Sequence, residues 1–168
     1  LIRPLNYAPQ TPGQGYVILE KPYLKRLMVI NVMGRLFMEH YLDDPFRAVE
    51  DLLLKHPLSH DLMGSIIIDF HGEATSEKII FAHYFDGKVS AVMGTHTHVP
   101  TADGRILSEG TAFQTDLGMC GDYYSVIGMS KETAIPKMLK KGPTDRLTPA
   151  KGPATFSGVI MEIDNKTG

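Results

Sequence analysis

Residues 65–78 read SIIIDFHGEATSEK. Ile66, Ile67 and Ile68 make a short, branched, continuous apolar run, which predicts a strand rather than a helix and one covered on both faces. The run ends at Phe70, and His71-Gly72 reads as a turn. TSEKIIFAHY (Thr75 to Tyr84) then predicts a helix, capped by Thr75 or Ser76, with Ile79, Ile80 and His83 following at helical spacing. A buried strand running through a tight turn into a helix is the repeating unit of an α/β protein, and such proteins place ligands at the carboxyl ends of their strands. His71 stands at such an end and is the first candidate site residue.

The same logic extends outward. Toward the N-terminus, residues 26–32 (RLMVINV) predict a second strand. Asp44-Pro45 predicts a helix start, with Asp44 as cap and Pro45 in the first turn. Phe46, Val49, Leu52 and Leu53 share one face of that helix, and Pro57 ends it. Before these, Pro9, Pro12, Gly13 and Gly15 mark a loop that leads into a strand over Tyr16–Leu19. Toward the C-terminus, residues 89–93 (VSAVM) predict a strand, and 105–107 and 112–114 predict two short strands around Glu109-Gly110. Ser130 caps a helix carrying Glu132, Ala134, Ile135, Met138 and Leu139, which Pro136 weakens or kinks. Residues 140–143 (KKGP) read as a loop, and 155–163 (TFSGVIMEI) as a final strand. The alternation places the chain in the α/β class, with α+β layering around a sheet, as a single domain over residues 1–168.

Composition narrows the function. With 43% hydrophobic and 21% charged residues, the 168-residue chain has the material for an ordinary core. A net charge of −2 gives no basic patch for nucleic acid and no polybasic stripe for a membrane. No apolar run reaches the length of about 18 residues needed to span a bilayer. The single cysteine, Cys120, rules out an internal disulfide, argues against a thiolate zinc site, and agrees with a reducing, cytoplasmic setting. It has no activating partner in sequence and reads as inert.

The second candidate segment is Gly94-Thr95-His96-Thr97-His98-Val99-Pro100. If its strand continues, period-two alternation points His96 and His98 to one side, where they could serve one metal or an adjacent pair. Imidazole suits zinc, iron, manganese and nickel, and needs a hydrogen bond at its other nitrogen for orientation. Asp69, Thr95 and Thr97 are the candidates for that support. His40, His56 and His60 lie in polar, loop-flanked stretches and read as exposed. His83 reads as a packed helix residue and Asp116 as a structural carboxylate. Glu73 and Glu77 read as helix-start acids that complement the dipole.

DFHGEATSEK (residues 69–78) with VMGTHTHVPTADGRIL (residues 92–107) resembles the YmdB-type branch of the calcineurin-like metallophosphoesterases. RPLNY, TPGQGY, INVMGR, DDPFRA, TDLGM, SVIGMSKE and KGPATFSGVIMEID are similar as well, so the resemblance runs through nearly the whole chain. It implies part of a four-layer α-β-β-α sandwich and a two-metal site of iron, manganese or magnesium that hydrolyses phosphodiesters, cyclic nucleotides among them. His71, His96 and His98 match the family's histidine ligands. His71 and His96 would serve mainly one ion and His98 the other. Gly72 stands where the family commonly has alanine. The family's early aspartate, Gly-Glu-Asn and Gly-Asn-His segments do not occur. The expectation is therefore an incomplete domain lacking its N-terminal portion, with no catalytic general-acid histidine of its own and little activity alone. The expected partner is a small phosphodiester or nucleotide, and the resemblance allows a homo-oligomer.

Two other readings belong to different classes. The chain could serve a regulatory protein that binds a nucleotide or partner without turnover, or another histidine-rich metal hydrolase such as an amidase. The DFHGEATSEK string argues against the amidase.

Overall fold

The computed structural model describes residues 1–20, 22, 25–38, 42–58, 63–140, 146–164 and 168. His40, His60 and most of the loop expected at 140–143 lie outside the described residues. Six strands form one sheet in the order β1-β2-β3-β4-β6-β5. They are β1 (Tyr16–Leu19), β2 (Leu27–Met33), β3 (Ser65–His71), β4 (Ala91–Thr95), β5 (Arg105–Ile106) and β6 (Ala112–Gln114). β2, β3, β4 and β6 run parallel, and the edge strands β1 and β5 are antiparallel to their neighbours. The α/β class is as expected.

Two crossover helices, α1 (Pro45–Leu53) and α2 (Thr75–Tyr84), cover one face of the sheet. Their Val49, Leu52, Phe81 and Ala82 pack with Met28, Ile30, Val32, Ile66, Ile68 and Phe70 in a single core. α1 begins as its sequence dictates: the Asp44 carboxylate accepts from the Phe46 amide at 2.8 Å, and Pro45 takes the first turn. α2 departs from expectation. Its N-cap is the buried Ala74, whose methyl group has no acceptor to offer, so no side-chain bond caps the helix. Its inward stripe is Lys78, Phe81, Ala82 and Phe85, so His83 turns to solvent instead of packing.

The other face of the sheet carries no helix among the described residues. The strictly alternating burial of β2 and β3 leaves Val29, Asn31, Met33, Ile67, Asp69 and His71 half-buried there. The isoleucine run is thus sealed on the Ile66 and Ile68 side, with Ile67 only partly covered. Asn31, Asp69 and His71 share this open face and climb toward the carboxyl ends of the parallel strands.

A final strand over 155–163 does not form. Thr155 makes one isolated bridge with Gly121, while Phe156 and Ile160 are 88% and 97% exposed. A strand needs an edge as well as an apolar pattern, and the outer strand β5 offers just two residues. The expected helix at Ser130 is present as α3 (Lys131–Met138), but it buries no residue and tolerates Pro136. His56 is half-buried, tilted against the Tyr16 ring at 5.8 Å between centroids. No helix among the described residues is long and apolar enough to cross a membrane.

The loop after β4 is held to β6 by Asp103. Its carboxylate accepts from Thr101 Oγ1 at 2.6 Å, Thr115 N at 3.1 Å, Thr115 Oγ1 at 2.5 Å and Arg105 at 3.1 Å. Burial alone would push this carboxyl up, but those bonds outweigh it and hold the group at about 2, against 3.8 when free. The folded value is depressed, so the stabilisation is complete above about pH 4 and is lost as pH falls through about 2. The side chain is a third exposed, which screens the effect to about 1–2 kcal/mol. Asp103→Asn is expected to lower stability by that amount at pH 7. In urea unfolding from pH 6 to pH 3, the gap between variant and wild type should narrow as the solution is acidified.

Candidate metal site

His71 closes β3, and His96 follows directly on β4, the neighbouring parallel strand, so the sheet register brings their backbones side by side. His71 Nε2 and His96 Nδ1 lie 3.1 Å apart, with the two rings at 88°. The remaining nitrogen of each ring is engaged. His71 Nδ1 is 3.1 Å from Thr95 Oγ1, and that hydroxyl donates to Asp69 Oδ1 at 2.7 Å. A threonine hydroxyl has one proton, and it goes to the carboxylate. The His71 bond must therefore be an Nδ1–H donated to Thr95. Asn31 donates to the second Asp69 oxygen at 2.8 Å and completes the chain Asn31–Asp69–Thr95–His71. His96 Nε2 lies 3.0 Å from Glu73 Oε2, which can only accept.

With both rings neutral, as metal ligation requires, the outer partners set the tautomers and each ring turns a lone pair toward the other. Two such lone pairs at 3.1 Å repel, and a shared proton or a metal ion between them removes the repulsion. Two nitrogens bound to one ion at about 2.0–2.1 Å would stand roughly 3.0–3.4 Å apart. The pair fits a metal by chemistry and by spacing. Burial pushes the His71 imidazole below its usual 6.5, and the neighbouring His96 pushes it further. Both effects favour the neutral ring, the form that ligates.

His98 does not join this pair. β4 ends at Thr95, and His96 and His98 both have left-handed backbone, with φ of 115° and 68°. The alternation expected of an extended strand stops before either of them. His98 is exposed, and its Nδ1–H donates to the Ile127 carbonyl at 2.8 Å, which leaves Nε2 unoccupied by that bond. Among the described residues, no group of three or more His, Cys, Asp or Glu side chains is gathered closely enough to hold an ion.

Of the three residues expected in support, Asp69 and Thr95 orient His71. Thr97 serves its own loop: its amide donates to Asp116 and its hydroxyl bonds Val99 O. Asp116 is fully buried and takes a structural role. Burial would raise its carboxyl, but the Thr97 and Gly118 amides and the Lys78 ammonium hold it below the usual range. Three residues do more than their sequence suggests. Glu73 orients His96. Glu77, nearly buried, accepts from the Arg35 and Leu36 amides and fastens the loop after β2. Lys78 is buried against Asp116. Asn31 was legible only as a polar residue inside an apolar strand. Cys120 is exposed and free.

A family model described as YmdB-like protein matches residues 1–168. The chain is 47% identical over 167 residues to a Bacillus subtilis (strain 168) protein named 2',3'-cyclic-nucleotide 2'-phosphodiesterase, covering 99% of this chain and 61% of that one. It therefore spans about three fifths of the length of this curated relative. A crystal structure of a hypothetical protein from Thermus thermophilus superposes with a TM-score of 0.82 at 47% identity, covering 91% of this chain and 57% of that one. A crystal structure of a novel phosphatase from Mycoplasma pneumoniae superposes with a TM-score of 0.78 at 36% identity, covering 91% and 54%. With its whole length matched by one family model, and with relatives of this similarity in sequence and fold, the chain belongs to the YmdB-like protein family.

Proposed function

We propose that this chain supplies histidine ligands to a metal-dependent phosphodiesterase that acts on cyclic nucleotides or related small phosphodiesters. The observation that carries the reading is the approach of His71 Nε2 and His96 Nδ1 to 3.1 Å, with the outer nitrogen of each ring facing an acceptor. His71 and His96 would hold one ion. His98, separate and with a free nitrogen, would serve a second. Iron, manganese and magnesium are the candidate ions. The name of the Bacillus subtilis relative supports the phosphodiester class.

An ion held there supplies Lewis-acid polarisation of a phosphoryl oxygen and lowers the pKa of water. The chain's own residues do the rest. Asp69, through Thr95, keeps the His71 proton on Nδ1, and Glu73 keeps the His96 proton on Nε2. A net charge of −2 leaves the protein with no surplus of cations for a phosphate, so bound metal is the natural source of positive charge. We place the reaction in the cytoplasm, in keeping with the free Cys120.

The test is hydrolysis of bis-p-nitrophenyl phosphate and of a 2',3'-cyclic nucleotide by the complete gene product. Turnover should require a metal ion, vanish with EDTA, and return with excess manganese, iron or magnesium. Turnover that survives exhaustive chelation would overturn the reading.

A further inference from the structure

A fully buried ion pair lies behind His96. Lys78 and Asp116 form an ion pair at 3.0 Å whose two side chains are both completely shielded from solvent. Such a pair is a poor stabiliser, because desolvating both charges consumes most of the Coulombic gain, and apolar residues of like volume do as well or better. Its bonds show what else it does. The Lys78 ammonium donates to the Thr95 carbonyl at 2.9 Å, and Asp116 Oδ2 accepts from the Thr97 amide at 2.9 Å. Those two groups belong to the two peptide units that flank His96. The residue between them has φ of 115°, a conformation that costs a side-chain-bearing residue on the order of 1–3 kcal/mol and persists only where its surroundings enforce it.

We propose that the Lys78–Asp116 pair is the positioning device of the metal site: one buried ion pair grips both peptides around His96 and holds that residue in its left-handed turn, so that Nδ1 faces His71. The hydrogen bonds of the pair go to backbone groups and to each other, not to either ring, so both members are positioning residues. They come from distant parts of the chain, Lys78 from α2 and Asp116 from the segment after β6, and the other Asp116 oxygen accepts from the Gly118 amide at 2.9 Å. The turn that carries His96 is thereby tied to the helical layer and to the β6 side at once. Glu73, on the other side of the ring, then sets the tautomer of a ring whose place is already fixed. This inference rests on the metal reading given above.

The experiment uses the complete gene product and cobalt(II) alone as probe, with affinity read by calorimetry and ligand geometry by visible absorption. Lys78→Met and Asp116→Asn are compared with wild type and with Phe81→Leu, which weakens the core beneath α2 without touching the turn. All are measured where circular dichroism shows them folded. Lys78→Met and Asp116→Asn should each lose about 10–100-fold in cobalt affinity and show a changed absorption band, the range typical for outer partners of metal ligands. Phe81→Leu should lose stability and keep both readouts. If Lys78→Met does not fold, Asp116→Asn, which conserves volume, decides. A folded variant with wild-type affinity and spectrum overturns the proposal, and so does failure of both variants to fold, which would make the pair structural alone. Absence of cobalt binding by the wild type would instead sink the metal reading itself.

Discussion

Replacing Gly94 with alanine is expected to cost about 3 kcal/mol or more of folding stability. A β-carbon at this position would stand 1.7 Å from the Thr115 carbonyl oxygen and 2.5 Å from its carbon, with Lys78 Cδ at 3.0 Å. The first two are backbone atoms and cannot swing away. The close approach arises because the segment after β6 crosses the end of β4 here: Met93 pairs with Gln114, and the Leu117 amide donates to Gly94 O at 2.9 Å. Making room would pull Thr115 and Asp116 off β4 and release Asp116 from Thr97. Urea unfolding checks the figure, with Gly104→Ala as the matched control. The nearest atom to a β-carbon there is Gln114 Oε1 at 3.4 Å, the end of a flexible side chain, and the change should stay within about 1 kcal/mol of wild type. An unfolding midpoint for Gly94→Ala equal to that of wild type would show that the segment after β6 yields to a methyl group without loss of packing. The glycine of Gly94-Thr95-His96-Thr97-His98 thus has a packing reason to be there, separate from any ligand.

What sequence reasoning could reach follows the range of the forces involved. Asp44-Pro45 dictates a helix start by local chemistry, and α1 starts there. The isoleucine run of β3 and the apolar run of β2 dictate strands by short-range patterning, and both form. His71 and His96 were legible as candidates because strand ends gather ligands and because the surrounding string resembles a family motif. The partners of these residues were not legible. Lys78 meets Asp116 across 38 residues, Asn31 meets Asp69 across 38, and Thr95 reaches back 26 to Asp69. No local signal marks such a pairing, although a lysine on the inward stripe of α2, beside Phe81 and Ala82, was a clue to a buried charge. The orientation of His96 and His98 failed for a different reason. Alternation holds only while the backbone stays extended, and both residues leave that region. The apolar pattern at 155–163 names a strand but cannot supply the edge it must pair with.

His71→Ala, made in the complete gene product, is expected to lower the proposed metal-dependent phosphodiester turnover by on the order of 10²-fold or more, beyond the 10–100-fold typical of losing an outer partner. It removes one of the two facing nitrogens and leaves Thr95, Asp69 and Asn31 orienting nothing. Thr95→Val is the more searching change. It keeps the shape of the side chain and deletes the hydroxyl, so the His71 Nδ1–H and Asp69 Oδ1 both lose their partner. The ring can then turn or change tautomer, and manganese affinity should fall about 10–100-fold while the fold stays intact. Asp69→Asn attacks the same relay one step further out, since an amide can donate to Thr95 and reverse the direction of that bond. Groups acting in one chain do not add: the double variant Thr95→Val with Asp69→Asn should lose little more manganese affinity than the worse of the two singles. Losses that multiplied instead would mean that Asp69 reaches the ion by a route independent of Thr95, and the tautomer argument for His71 would then fail.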